Sequence, residues 1–168
     1  MHLSRCLNKT LPGRGFTLLE LMIVVAIISI LAMVTIPSTL NKRLRAEVAS
    51  TLQMAKPIRD DITGYYRLHQ SFPADNAAAG LPEPEQMIGN KFTRVEIENG
   101  AIHITFGNRA NKALQEKILS LRPAVVSGSP ASPISWLCGN EEPVEGMEAV
   151  GENLTDLSDT IVPVSCSY

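Results

Sequence analysis

The chain has 168 residues, with 15 basic and 17 acidic side chains and a formal net charge of −2 at pH 7. This length allows one soluble domain beside a membrane segment, and a weakly acidic chain is not typical of a dedicated nucleic-acid binder. The sequence has no phosphate-binding loop, dinucleotide-binding glycine pattern or Cys/His metal-ligand spacing. We therefore expect a protein that is not an enzyme and that holds no cofactor or metal.

The first fifteen residues form a short polar leader. It carries Arg5, Lys9 and Arg14, has no acid, and ends in Gly15. A secretory signal peptide would place its apolar region before the cleavage site, whereas here the apolar region follows the only plausible cut. We therefore predict that residues 1–15 are removed and that the apolar segment stays in the mature chain. The leader bases favour a cytoplasmic position for this end.

An apolar segment follows the leader. From Leu21 to Val34 no residue is charged, and Ser29 is the only polar one. As a helix this segment, with the residues that flank it, spans about 31 Å, which matches the roughly 30 Å hydrocarbon core of a bilayer. We predict a transmembrane helix in residues 16–37 and an exported head in residues 38–168.

The start of the apolar segment resembles the prepilin signature of type IV pilins and the related pseudopilins. The signature combines Gly15 before the cut, Phe16 after it and Glu20 as the fifth mature residue. The family also has proline at two fixed mature positions, which fall on Pro37 and Pro57. The resemblance implies that a prepilin peptidase cuts between Gly15 and Phe16 and that Phe16 becomes N-methylated. It also implies that Phe16 and Glu20 take part in assembly, and an ionisable group in an apolar segment is itself a functional candidate.

A helical pattern continues beyond Pro37. Apolar residues recur every three or four positions and predict one face directed toward a soluble core: Leu40, Leu44, Val48, Leu52, Ala55, Ile58 and Ile62. We expect the opposite face to carry the bases of this helix: Lys42, Arg45, Lys56 and Arg59. Pro37 and Pro57 each remove a backbone hydrogen bond, so we expect them to kink the helix. The alternative is that the helix ends at Pro57.

Short strands follow a connecting segment that is rich in proline and glycine. Alternating apolar residues lie on both sides of Asn99-Gly100, which predicts a hairpin because both turn residues require positive φ. We predict a third strand at Leu119–Val126, on an edge because Pro123 cannot donate, and a fourth at Ile134–Cys138. The predicted fold is α+β, with a long N-terminal helix packed on an antiparallel sheet of about four strands.

The C-terminal region combines two cysteines with a run of acidic residues. Cys6 leaves with the leader, and the remaining pair, Cys138 and Cys166, predicts a disulfide in an exported domain; two free thiols are the alternative. The segment from Gly139 to Ser165 contains seven acids and no base, so it would be poorly ordered alone. We expect the disulfide to hold it to the sheet. In type IV pilins such a disulfide-bounded region contributes to the outer surface of the fibre.

Other polar groups have simpler interpretations. His69 and His103 are expected to be solvated, the latter on the polar face of its strand. Glu152, Asp156 and Asp159 carry oxygens that could bind calcium, but a solvated acidic face is favoured. The bases at residues 42–45 suggest a solvated or lipid-headgroup face, with DNA binding as the less favoured alternative.

The sequence and the resemblance together predict a structural subunit of a type IV pilus. Copies would form a helical fibre with one another and with other pilins, after storage in the inner membrane and handling by the pilus assembly machinery. The fibre would lie at the cell surface as a fimbrium, with adhesion, twitching motility and DNA uptake as candidate roles. The alternatives are a pseudopilin of a type II secretion system and a DNA-binding minor pilin.

Overall fold

The computed structural model describes residues 15–163, except for the side chains of residues 34–39. The chain divides into two compact units, Met1–Ser38 and Thr39–Tyr168. Helix α1 comprises Leu18–Met54 and helix α2 comprises Lys56–His69. Within the described residues, none of the helices has the length and apolar content that crossing a membrane requires.

A single residue, Ala55, separates the two helices. Its backbone remains in the helical region, with φ −78° and ψ −8°, and its carbonyl accepts a hydrogen bond from the Arg59 amide at 3.0 Å. Pro57 therefore lies in the first turn of α2, where a missing N–H costs no helical hydrogen bond. Pro37 lies within α1, among the residues whose side chains are not described. The predicted kinks at these prolines remain predictions.

The predicted apolar face of the helices is confirmed with two exceptions. Six of its seven residues are buried: Leu44, Val48, Leu52, Ala55, Ile58 and Ile62. Leu40 is 47% exposed, whereas Arg59, predicted to lie on the solvated face, is 7% exposed. The neighbouring residues Ile58 and Arg59 are both buried, so the covered face of α2 is wider than the apolar pattern indicates. Burial lowers the pKa of Arg59, and the negative charge of Asp60 offsets only part of this effect.

The sheet is antiparallel throughout and has five strands rather than about four. They are β1 (Phe92–Glu98), β2 (Ala101–Phe106), β3 (Ile118–Val125), β4 (Ser135–Cys138) and β5 (Glu148–Ala149). Their order is β1-β2-β3-β4, and β5 also pairs with β3. The apolar faces of the helices and the sheet share one core. The fifth strand is only two residues long, too short to show an alternating pattern.

The β1–β2 hairpin agrees with the prediction. Asn99 and Gly100 have φ values of 49° and 84°, and Glu98 pairs with Ala101 across the turn. A type I′ turn needs positive φ at both central residues, which asparagine and glycine tolerate best.

The expectation of an edge position for β3 was wrong, because strands pair with it on both sides. Leu121 pairs with residues of both β2 and β4, which places these two strands on opposite sides of β3. Ala124 pairs with β4 and β5, so β5 lies on the same side as β2. Pro123 lies where the pairing with β2 has ended and that with β5 has not begun. A residue that cannot donate a hydrogen bond is therefore accommodated in a central strand.

The C-terminal segment, defined here as residues 139–163, covers the sheet face that bears His103. His103 is 3% exposed, so the expectation of a solvated side chain was wrong. The segment is hydrogen-bonded to β3. The Leu154 amide donates to Ser120 Oγ at 2.9 Å, the Ser120 amide donates to Thr155 Oγ1 at 3.0 Å, and the Ile118 amide donates to the Asp156 carboxylate at 2.7 Å. Leu157 and Val162 also contribute to the core. The segment is thus anchored by contacts that the acidic composition did not reveal.

Candidate assembly segment

Helix α1 begins with a capping residue that the sequence interpretation missed. The Glu20 amide donates to Thr17 Oγ1 at 3.2 Å, and the Leu21 amide donates to the Thr17 carbonyl at 3.2 Å. Thr17 therefore serves as the N-cap, and Thr17 with Glu20 has the Ser/Thr-x-x-Glu spacing of a capping box. That spacing was visible in the sequence, but Glu20 was interpreted only through its charge.

Every side chain from Phe16 to Met33 is exposed in the single chain. The large apolar residues lie on all sides of the helix and are 48–82% exposed: Phe16, Leu18, Leu19, Leu21, Met22, Ile23, Val24, Val25, Ile27, Ile28, Ile30, Leu31 and Met33. A helix that is apolar on all sides is normally buried, and an exposed apolar surface this large marks an interaction site. The segment therefore requires an apolar environment that one chain does not supply.

Ser29, the only hydroxyl in the uncharged part of the segment, is already satisfied within the helix. Its Oγ donates to the Val25 carbonyl at 2.7 Å. A hydroxyl that bonds to the carbonyl of the preceding turn needs no outside partner. Ser29 can therefore enter apolar surroundings without the cost of an unpaired polar group.

Glu20 is the only charged residue of the helix before Lys42. Its carboxylate has no ion pair or hydrogen-bond partner among residues 15–163. It lies in the first turn of α1, where the helix dipole favours a negative charge. This position stabilises the carboxylate only partly, so burial of the segment would leave Glu20 in need of a cation.

The predicted processing and disulfide residues lie in different parts of the chain. Gly15 and Phe16 precede α1, and Phe16 is 79% exposed. Cys138 is the last residue of β4 and is 2% exposed. Cys166 lies outside the described residues, so the pairing with Cys138 stays a prediction.

The predicted acidic and basic candidates are largely engaged in contacts within the head. Asp156 accepts from the Ile118 amide at 2.7 Å and pairs with Lys117 at 3.0 Å, while Asp159 accepts from Asn140 at 2.8 Å. Arg45 donates to the Thr160 carbonyl at 2.7 Å. Within residues 15–163, no group of His, Cys, Asp or Glu side chains is arranged to hold a metal ion.

Two protein families match separate parts of the chain. Residues 13–36 match the prokaryotic N-terminal methylation motif, and residues 44–167 match the family described as pilin (bacterial filament). The chain belongs to the pilin family. This confirms the resemblance seen in the prepilin signature, and the family is structural rather than enzymatic.

The pilin has relatives of similar length in several bacteria. It is 34% identical over 161 residues to the type IV major pilin protein PilE1 of Neisseria gonorrhoeae, covering 91% of this chain and 86% of that protein. It is 33% identical over 148 residues to a fimbrial protein of Neisseria meningitidis serogroup A, covering 88% and 84%. The type IV major fimbrial protein FimA of Dichelobacter nodosus is 29% identical over 142 residues, covering 74% and 86%. These names do not favour a type II secretion pseudopilin or a DNA-binding minor pilin.

Proposed function

We propose that this pilin is a structural subunit of a type IV pilus and that it assembles by packing its apolar helix against other copies. The observation that carries the proposal is the exposure of the whole apolar surface from Phe16 to Met33. Burying such a surface gains about 25 cal/mol per Å², and packing copies side by side covers every face of the helix. The names of the relatives support the same assembly.

The stage before assembly follows from the sequence of the same segment. A prepilin peptidase cuts between Gly15 and Phe16, and Phe16 is N-methylated. The uncharged run from Leu21 to Val34 holds the subunit in the inner membrane until the assembly machinery adds it to a fibre at the cell surface. Adhesion, twitching motility and DNA uptake are candidate roles of that fibre.

Glu20 provides specificity during assembly. Cleavage leaves an amine on Phe16 that is cationic near neutral pH, while Glu20 supplies an anion that has no partner among residues 15–163. Either charge alone in an apolar fibre core is costly, whereas a pair offsets much of that cost. Pairing between neighbouring copies would therefore set the axial position of each incoming subunit.

The Cys138–Cys166 disulfide belongs to the same proposal. Cys138 is buried at the end of β4, where the C-terminal segment begins, and Cys166 follows that segment in the sequence. Closing this loop of about 29 residues would stabilise the head by roughly 3.6 kcal/mol in the chain-entropy model. The segment would then contribute to the outer surface of the fibre.

The test compares three strains that produce the wild-type chain, Glu20→Ala or Glu83→Ala. Glu83 is an exposed acid of the head and serves as the matched control. We expect wild type and Glu83→Ala to form surface fibres visible by electron microscopy, whereas Glu20→Ala accumulates in the membrane with little incorporation. Fibres that contain Glu20→Ala at the wild-type level would refute the role of Glu20. Absence of fibres that depend on the wild-type gene would refute the pilus itself and favour a pseudopilin.

A further inference from the structure

A buried histidine connects the sheet to the C-terminal segment. His103 on β2 lies directly opposite Ser120 on β3, and its Nδ1 is 2.9 Å from Ser120 Oγ. The same hydroxyl accepts a hydrogen bond from the Leu154 amide at 2.9 Å. One hydroxyl therefore joins the imidazole ring to the backbone of the segment.

One arrangement of protons satisfies every donor of this hydroxyl. A serine hydroxyl carries a single proton and accepts through its lone pairs. Ser120 Oγ accepts from Leu154 with one lone pair, and its own proton has an acceptor when His103 Nδ1 belongs to a neutral ring and accepts it. In this arrangement the proton of the ring lies on Nε2, which has no hydrogen-bond partner among the described residues. The nearest carboxylate oxygen, Glu98 Oε2, is 3.6 Å away.

A second proton on the ring is incompatible with this arrangement. It converts Nδ1 into a donor, so Ser120 Oγ faces two donors and its own proton loses its acceptor. It also places a cation at a side chain that is 3% exposed. Burying a charge is costly unless it is paired and hydrogen-bonded, and the Glu98 carboxylate at 3.6 Å is too far away for a hydrogen bond. We expect the hydrogen bond from the Leu154 amide to break first, because Leu154 lies in an irregular segment and not in a strand.

Charged groups on the surrounding elements reduce this cost without removing it. Burial lowers the pKa of His103, and the charges of Glu98 and Glu96 on β1 and Glu152 in the C-terminal segment raise it by less. Glu96 is also paired with Arg94 at 2.7 Å. On β3, Arg122 is directed to the Glu141 carbonyl at 2.9 Å. The ring is therefore neutral at pH 7.

We propose that His103 is a pH-sensitive latch that holds the C-terminal segment on the sheet while its ring is neutral and releases residues 151–155 when the ring is protonated. The release is local. Beyond these residues, Asp156 remains bonded to β3, and Leu157 and Val162 remain in the core. The latch belongs to the folded head and does not depend on assembly into a fibre.

Amide hydrogen exchange of the full chain in detergent micelles tests the latch at pH 7 and pH 5. The measured quantity is the protection factor, which corrects for the intrinsic effect of pH on exchange. We expect the protection of the Leu154 amide to fall about tenfold at pH 5, as for the loss of one hydrogen bond. The Phe106 amide at the end of β2, which donates to the Lys117 carbonyl at 2.8 Å, should keep its protection.

Two variants separate the latch from a general effect of acid. In His103→Gln the ring is absent, so the protection of Leu154 should be the same at both pH values. His69→Gln, at an exposed histidine of α2, is the matched control and should respond as wild type does. The proposal is wrong if Leu154 in wild type is equally protected at pH 5 and pH 7, or if the fall persists in His103→Gln.

A titration of the ring by NMR keeps the proposal testable if His103→Gln does not fold. Glu98→Gln removes the first of the acids that raise the pKa of His103, so both the ring titration and the release of Leu154 should move to lower pH together. Release that does not follow the titration of His103 in this variant would overturn the latch.

Discussion

Asn76 is a buried side chain whose loss should strongly destabilise the head. It is 3% exposed, and its Nδ2 donates to the carbonyls of Pro82 at 2.9 Å and Val95 at 3.0 Å. Its Oδ1 accepts from the Ile97 amide at 2.7 Å. The carboxamide thus pairs with the outer edge of β1 as a peptide group of another strand would, and it ties the connecting segment to the sheet.

Asn76→Ala removes all three of these bonds and leaves three backbone groups without a partner. Each lost bond costs about 1 kcal/mol, and up to about 3 kcal/mol where the abandoned group stays away from water. We therefore expect a loss of about 3–6 kcal/mol, a large part of the roughly 5–15 kcal/mol that stabilises a typical domain. For a domain of this size the melting temperature should fall by roughly 10–20 °C.

Thermal unfolding of the full chain in detergent, followed by circular dichroism, measures this loss. Asn90→Ala is the matched control, because Asn90 is exposed and a surface change of this kind stays within about 0.5 kcal/mol. Asn76→Asp keeps the acceptor for Ile97 but directs a carboxylate at two carbonyl oxygens, so it should be about as unstable as Asn76→Ala at pH 7. A loss below about 1 kcal/mol in Asn76→Ala would show that water replaces the carboxamide and that the reasoning fails.

Three further predictions concern the C-terminal half of the head. In a urea titration, Gly151→Ala should lower the free energy of unfolding by about 2–4 kcal/mol, because φ is +83° and the new Cβ would lie 2.5 Å from that of Ala101. The control is Gly128→Ala, where φ is +75° and the surrounding space is open. It should lower the free energy of unfolding by only about 1–2 kcal/mol. Burial lowers the pKa of His103 in the folded state, so on acidification the unfolded chain takes up this proton at a higher pH than the folded chain does. The free energy of unfolding measured in urea should therefore fall as pH drops below about 6.5. Replacing His103 with Gln should remove that part of the pH dependence. Cys138→Ser should cost about 2–5 kcal/mol, and thiol labelling of the unfolded, unreduced wild type should find no reactive cysteine in the mature chain.

The sequence predicted those features of the fold that depend on neighbouring residues. The helical apolar face repeats every three or four positions, and the hairpin requires positive φ at Asn99 and Gly100. Both signals lie within a few residues of the structure they specify. Thr17 could also have been predicted, since its spacing to Glu20 is that of a capping box.

The errors concern contacts between residues far apart in the chain. His103 alternates with apolar residues and appeared solvated, but a segment about 50 residues later covers its face. Pro123 appeared to require an edge, yet it occupies a gap between two strands that pair with the same side of β3. In each case the environment is set by an irregular or very short segment whose position no local pattern indicates.

The position of the Thr17 cap limits how far the N-terminal amine of the mature protein can move. With the cut proposed between Gly15 and Phe16, only one residue precedes the cap, so the amine is held near the first turn by a tether of a single residue. Inserting one residue between the cut and Thr17 would displace the amine by up to about 3.6 Å, more than the length of a hydrogen bond. The fibre should therefore tolerate changes in the apolar side chains far better than a change in the number of residues ahead of the helix.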